Sequence, residues 1–154
     1  MKDLPRIVAL YEEIDRRLDS ERIDAEEEDE AHRITLKQLI NEHAYFVLCW
    51  GQLEVEIDEV CRDVIRRRKS DPNWDVRRGF DFYNPEDRRL MTFDRRVAIV
   101  LDRGAGSGSP HGLVMKYYEL RNKIAHGRLE TTRIYVAAVV ADFYSIQAEL
   151  TRRP

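Results

Sequence analysis

The chain has 154 residues, of which 43% are hydrophobic and 36% are charged, and its formal net charge is −3. This length suits one ordinary domain with a sizeable core. The acidic balance argues against a protein that binds nucleic acid through general positive charge, and no stretch approaches the roughly 18 uncharged residues of a membrane span.

The N-terminus and the cysteines bear on the compartment. The opening MKDLPRIV lacks the apolar core of a signal peptide, so we expect a cytoplasmic protein with no membrane partner. Cys49 and Cys61 fall in one predicted helix, about 18 Å apart along its axis, which is too far for a disulfide. No CxxC pair or His/Cys cluster indicates zinc. We therefore predict two core thiols and expect neither metal nor cofactor.

Helical periodicity dominates the first half of the chain. Residues 4–19 place apolar side chains at helical spacing, whereas residues 19–33 nearly lack them, so that a solvated helix, an exposed turn or partial disorder would each fit. Residues 34–69 predict a long core helix. Its apolar residues trace one broad stripe with a period of three to four: Leu36, Leu39, Ile40, Ala44, Val47, Leu48, Gly51, Val55, Ile57, Cys61, Val64 and Ile65.

Shorter helices are predicted in the second half. Residues 71–85 form an irregular connection whose four aromatic side chains, Trp74, Phe80, Phe82 and Tyr83, we expect to pack back on the bundle. A helix should begin near residues 84–87 and end near Leu101, and a glycine-rich stretch follows it. Two more helices are expected at about 110–125 and 131–150.

These elements predict an all-α fold without strands. The class is an up-and-down bundle of four or five helices with an N-terminal helical extension. We assign residues 1–33 to the extension and residues 34–154 to the bundle, within a single domain overall. No internal repeat is evident in the sequence.

The most informative segment is Tyr118-Glu119-Leu120-Arg121-Asn122-Lys123-Ile124-Ala125-His126-Gly127. It resembles the Arg-Asn-x-x-x-His segment of HEPN (higher eukaryotes and prokaryotes nucleotide-binding) domains. The resemblance is specific over about seven residues. It extends loosely over residues 34–150, because a long helix precedes the motif and a closing helix follows it. The resemblance implies a helical bundle of HEPN type and a ribonuclease site of the Arg-Asn-x-x-x-His kind.

The residue types in this segment suit RNA cleavage without a metal ion. A base must take the proton of the ribose 2′-OH, an acid must protonate the departing 5′ oxygen, and a cation must offset charge on the phosphorane. His126 can act as acid or base, and Arg121 offers a planar fork of donors to phosphate. Asn122 shares a helix face with His126 and is expected to hold its imidazole.

Neighbouring residues are candidates for supporting roles. Lys123 and Arg128 are expected to bind the RNA substrate through its phosphates. Similar polar residues in HEPN nucleases help to hold the motif Arg or His, which makes Glu54, and less so Asp58, a candidate support. For both carboxylates the alternative is a solvated or locally paired side chain. For His43, on the long helix, a structural histidine is the preferred interpretation.

A homodimer is expected on two grounds. Arg121 and His126 are five residues apart, so an ideal helix directs them about 140° apart. Either the helix unwinds by Ala125, or the site is completed across a subunit interface. The resemblance also implies a dimer, because HEPN nucleases place two motifs in a shared cleft, and a two-fold axis would supply two histidines.

The predicted function is a metal-independent endoribonuclease of a toxin–antitoxin or phage-defence system, with RNA as its substrate. The alternative is a non-catalytic HEPN module that binds nucleotides, RNA or protein. In either case an antitoxin or a nucleotidyltransferase-like protein is a candidate partner. A third interpretation is purely structural, because Arg121, Asn122 and His126 before Gly127 could cap a helix and complement its dipole.

Overall fold

The computed structural model describes residues 1–84, 91–127 and 133–152. The described residues form six α-helices and a 3₁₀ turn at Arg103–Ala105, and they include no β-strand. The helices are α1 (Leu4–Asp24), α2 (Glu28–Lys69), α3 (Trp74–Arg77), α4 (Phe93–Val100), α5 (Pro110–Ala125) and α6 (Val136–Arg152). The predicted all-α class is confirmed. The predicted bundle of four or five helices corresponds to the five longer helices, since α3 is a single turn of four residues.

Residues 19–33, for which the sequence pattern allowed a helix, a turn or disorder, contain the boundary between α1 and α2. The first helix continues to Asp24, and α2 begins at Glu28. Three acidic residues occupy the first turn of α2, and four basic residues, Arg66 to Lys69, occupy its last turn. Both placements complement the helix dipole, so the charged runs stabilise the two ends of this 42-residue helix.

The described residues group into two compact units. One comprises Met1–Gln52 and Tyr117–Phe143, and the other comprises Leu53–Lys116 and Tyr144–Pro154. The core of the first unit is aromatic: Phe143 meets Tyr117 edge-on, with ring centroids 5.4 Å apart, and meets Trp50 at 6.2 Å. Phe46 of α2 also contacts Tyr117, at 6.1 Å. These rings hold α2, α5 and α6 together within that unit.

The second unit has an aliphatic core that encloses one ion pair. Its buried side chains include Ile57, Cys61, Ile65, Met91, Phe93, Val97, Val100, Leu101, Val114, Ile146 and Leu150. Asp58 is buried and pairs with Arg96 of α4. Asp58 is therefore not solvated, and its ion-pair partner is not a neighbour in sequence, because Arg96 lies 38 positions away.

Two packing predictions were wrong in part. Four members of the predicted core stripe of α2 are about half exposed: Leu36, Ile40, Leu48 and Val55. Twelve positions at a three-to-four spacing cover more than one face of a helix, and only part of that arc is buried here. In the connection after α2, Trp74 and Phe82 are 58% and 91% exposed, whereas Phe80 and Tyr83 are half-buried and contact each other.

Trp74 is exposed and contacts a nearby arginine, not the core. Asn73 caps α3 by accepting a hydrogen bond from the Asp75 amide, which turns the chain at the surface. The guanidinium of Arg78 then lies 4.7 Å from the Trp74 ring centroid. The predicted helix start at 84–87 falls mostly outside the described residues. Within them α4 begins at Phe93, capped by the side chain of Thr92.

Candidate functional site

The motif lies at the C-terminal end of α5, where the helix stops as predicted. The amide of His126 still donates to the Asn122 carbonyl oxygen at 3.1 Å, and the amide of Gly127 donates to the Ile124 carbonyl oxygen at 2.9 Å. Gly127 has a φ of 76°, a left-handed conformation that suits glycine. His126 is therefore the C-cap residue, and helical hydrogen bonding continues up to its own amide.

Asn122 has a different partner from the one expected. Its Oδ1 accepts a hydrogen bond of 2.9 Å from Nη1 of Arg121, and both side chains are half-buried. The expectation was that Asn122 would hold the imidazole of His126. The observed bond instead restrains the guanidinium, so Asn122 supports the arginine of the motif.

The other predicted site residues are placed as follows. His126 and Lys123 are both exposed at the end of α5, whereas Arg128 lies outside the described residues. Glu54 is half-buried on α2 and belongs to the second unit. The supporting role of Glu54 stays a prediction, as do the substrate-binding roles of Lys123 and Arg128.

Aromatic contacts fix α5 on its neighbours within the first unit. Tyr118, just before the motif, contacts Trp50 with ring centroids 6.2 Å apart. The hydroxyl of Tyr117 donates to Asp142 of α6 at 2.5 Å. Burial, together with this hydrogen bond and the carboxylate charge, raises the pKa of Tyr117. The helix that carries Arg121 and His126 is thus clamped between α2 and α6.

The sequence did not predict a role for Glu42, which binds Arg133 and Ile134 in the segment after the motif. Its side chain is almost fully buried, and its two oxygens accept hydrogen bonds from Nε of Arg133 at 2.6 Å and from the Ile134 amide at 2.8 Å. The available signal was an acidic residue between Leu39 and Phe46 on the inner face of α2. Glu42 anchors the segment that enters α6, seven positions after His126.

Further ionisable side chains surround this anchor. Tyr11 and Asp15 of α1 interact electrostatically with both Glu42 and Arg133. Burial, followed by the charge of Asp15, raises the pKa of Tyr11 to about 12. Burial, followed by the charge of Asp19, raises the pKa of Asp15, whose Oδ1 is buried without a hydrogen-bond partner.

The remaining histidine and cysteine predictions concern the core. His43 is buried, and its Nδ1 lies 2.5 Å from the Leu39 carbonyl oxygen, whereas its Nε2 is buried without a hydrogen-bond partner, so only one of its two ring nitrogens is satisfied. Cys49 and Cys61 are buried free thiols, as predicted, and burial raises both pKa values to about 11. Within the described residues no three His, Cys, Asp or Glu side chains are grouped to hold a metal ion.

Comparison with protein-family models, curated protein sequences and solved structures gives no match for this chain. In the part of the chain that the structure describes, no helix is long and apolar enough to cross a membrane.

Proposed function

We propose that this chain is a HEPN-type domain that cleaves RNA without a metal ion, using Arg121 and His126. The observation that carries the proposal is the end of α5. There a half-buried guanidinium is held by Asn122, and an exposed imidazole follows at the C-cap. This is the pair of groups that phosphoryl transfer from an RNA strand requires: a fixed cation and an accessible acid–base group.

Each group has a defined task in the proposed reaction. One imidazole takes the proton from the ribose 2′-OH, and the 2′ oxygen then forms a bond to phosphorus. The bond from phosphorus to the 5′ oxygen breaks, and a second acid returns a proton to that oxygen. The products are a 2′,3′-cyclic phosphate and a 5′-hydroxyl. Arg121 offsets the charge on the non-bridging oxygens through its planar donors.

The helix geometry supports a site shared by two copies of the chain. The His126 amide retains its helical hydrogen bond to Asn122, so the helix does not unwind before the histidine. Arg121 and His126 therefore leave the helix about 140° apart. A two-fold dimer would bring the arginine and histidine of two motifs to one phosphate, and it would supply one histidine as base and one as acid.

The proposal is tested by cleavage of a labelled structured RNA in EDTA. We expect His126→Ala to lower the rate by at least about a hundredfold, the usual scale of general acid–base catalysis. His32→Ala is the matched control, since His32 is also exposed but lies on α2. Arg121→Lys should also lose most activity, because an ammonium group lacks the guanidinium fork.

Two results would count against the nuclease. Equal rates for wild type and His126→Ala would remove the histidine from the reaction. If neither protein cuts RNA while both remain folded dimers, the non-catalytic module becomes the better account. That account predicts binding of nucleotide, RNA or a partner protein with the RNA left intact.

A further inference from the structure

The second unit contains a cavity of about 670 Å³, lined by the C-terminal turns of α2, α4 and α6 and by the residues that follow α4. Sites for small molecules in proteins usually measure roughly 300 to 1,000 Å³. The apolar lining is aliphatic and includes Val60, Val64, Ala98, Ile99 and Leu150. Leu150 is almost fully buried, whereas Val60, Val64 and Ile99 are half-buried and Ala98 is exposed. The cavity is thus an apolar recess that opens to solvent.

Charged side chains line the same cavity: Arg67, Arg68, Arg103, Asp71 and Asp102. Both carboxylates are already engaged by backbone amides. Oδ1 of Asp71 accepts a hydrogen bond from the Asn73 amide at 2.9 Å, and Oδ1 of Asp102 accepts one from the Gly104 amide at 2.8 Å. These bonds offset part of the negative charge at the cavity.

Two of the arginines lack a carboxylate partner. Within the described residues, Arg68 forms no hydrogen bond or ion pair, and Arg67 donates only to the Asp63 carbonyl oxygen, at 3.4 Å. Arg103 is 70% exposed and lies 3.8 Å from Asp94. The basic last turn of α2 offsets the partial negative charge of that helix end. An acidic group in the cavity would therefore meet guanidinium groups, which bind carboxylates and phosphates through charge-assisted hydrogen bonds.

We infer that this cavity binds a small amphipathic anion, with an aliphatic body in the apolar recess and a carboxylate or phosphate group at Arg67 and Arg68. No aromatic side chain belongs to the lining that the structure describes, so a nucleobase would find no ring on which to stack. An RNA strand would also place polar sugar and phosphate against the aliphatic side chains. Binding here requires no RNA cleavage, because every lining residue lies outside the motif and within the second unit.

Binding is tested on the full chain with anilinonaphthalene sulfonate, a fluorescent anion with an apolar body, followed by competition. Octanoate and octyl phosphate should displace the dye from one site per chain, and the tighter of the two identifies the head group. Octanol and octylammonium keep the aliphatic chain but lack the negative charge. They should require at least about tenfold higher concentrations, because they cannot accept the charge-assisted hydrogen bonds.

Two variants and their matched controls locate the site. Arg68→Gln should raise the dissociation constant of octanoate about tenfold, whereas Arg66→Gln, in the same turn of α2 but outside the lining, should change it less than about twofold. Ala98→Trp should abolish binding by filling the recess. Ala137→Trp, the same change at an exposed alanine of α6 in the first unit, should leave binding intact.

Arg68→Gln keeps the test decisive if Ala98→Trp perturbs the fold, because Arg68 is exposed and glutamine is a good helix former. Circular dichroism checks that each variant is folded. No saturable binding by wild type, equal competition by octylammonium, or binding that Arg68→Gln leaves unchanged would overturn the inference. Displacement of the dye by a cleavage-resistant 2′-O-methyl RNA at lower concentrations than octanoate would also overturn it, since the arginines would then belong to an RNA surface.

Discussion

At the scale of single residues, one buried carboxylate joins segments that are far apart in sequence. Glu42 meets Arg133 and Ile134 across 91 and 92 positions. A periodic pattern places Glu42 on the inner face of α2 but says nothing of its partner, so this anchor could not be predicted. The Arg121–Asn122 bond lies between adjacent residues, yet the choice between Arg121 and His126 as the partner of Asn122 depended on side-chain conformations that spacing does not determine.

The ion pair of Glu42 and Arg133 leads to a stability prediction. Arg133→Ala removes the cationic partner of the Glu42 carboxylate, whose side chain is only 2% exposed, and leaves the Ile134 amide as its donor among the described residues. We expect a loss of about 2 kcal/mol in the free energy of unfolding, less than for a fully buried pair because Arg133 itself is half exposed. Urea denaturation measures it. Arg17→Ala, which removes an exposed pair with Glu21, should change the value by less than about 0.5 kcal/mol. Equal losses in the two variants would contradict the anchor.

Asp15 leads to a prediction about pH. Its pKa is raised in the folded protein, so its neutral form stabilises the fold, and that contribution is lost as the pH rises through the folded-state pKa. Asp15→Asn should therefore raise the melting temperature at pH 7. The gain should vanish below about pH 3, where wild-type Asp15 is protonated in both states. Glu13→Gln, an exposed change on the same helix, should show neither effect. A gain that grows as the pH falls would contradict the assignment.

At the scale of elements, periodicity predicted the positions of the helices better than it predicted which of their faces are buried. Ala125 ends α5 as expected, because Gly127 supplies the left-handed residue that a C-terminal cap needs. The same kind of pattern placed Leu36, Ile40, Leu48 and Val55 in the core, although all four are about half exposed, since apolar spacing does not distinguish a buried helix face from an exposed one. The predicted packing of the aromatic residues after α2 was partly wrong for a related reason, because the number of aromatic residues in a connection does not determine which of them are buried.

The cap at Gly127 is testable as an element. Gly127→Ala forces an L residue into a φ of 76° and should destabilise the chain by about 1 kcal/mol. If the cap also positions His126, RNA cleavage should fall in the folded variant. Gly79→Ala is the control, because its φ is not positive and an added Cβ would make only an ordinary contact, 3.6 Å from the Val76 carbonyl oxygen. A Gly127→Ala variant as stable as the Gly79→Ala variant would contradict the strained-cap argument.

At the scale of the whole molecule, the proposed activity and the proposed dimer both depend on the angle between Arg121 and His126 on α5. A helix that keeps its hydrogen bonding up to His126 separates the two motif side chains, and a second copy would restore their convergence. The sequence suggested both possibilities, an unwound helix or a shared site. The observed C-cap is the reason that a shared site, and not an unwound helix, is proposed.

The most direct measurement is the end chemistry of strands cut by wild type and by His126→Ala, with RNA and DNA of the same sequence and EDTA present. We predict that wild type leaves 2′,3′-cyclic phosphate ends on RNA and spares DNA, which lacks the 2′-OH nucleophile, and that His126→Ala leaves both strands intact. Cleavage of DNA at a comparable rate, loss of wild-type activity in EDTA, or cyclic ends formed by His126→Ala would contradict the proposed site.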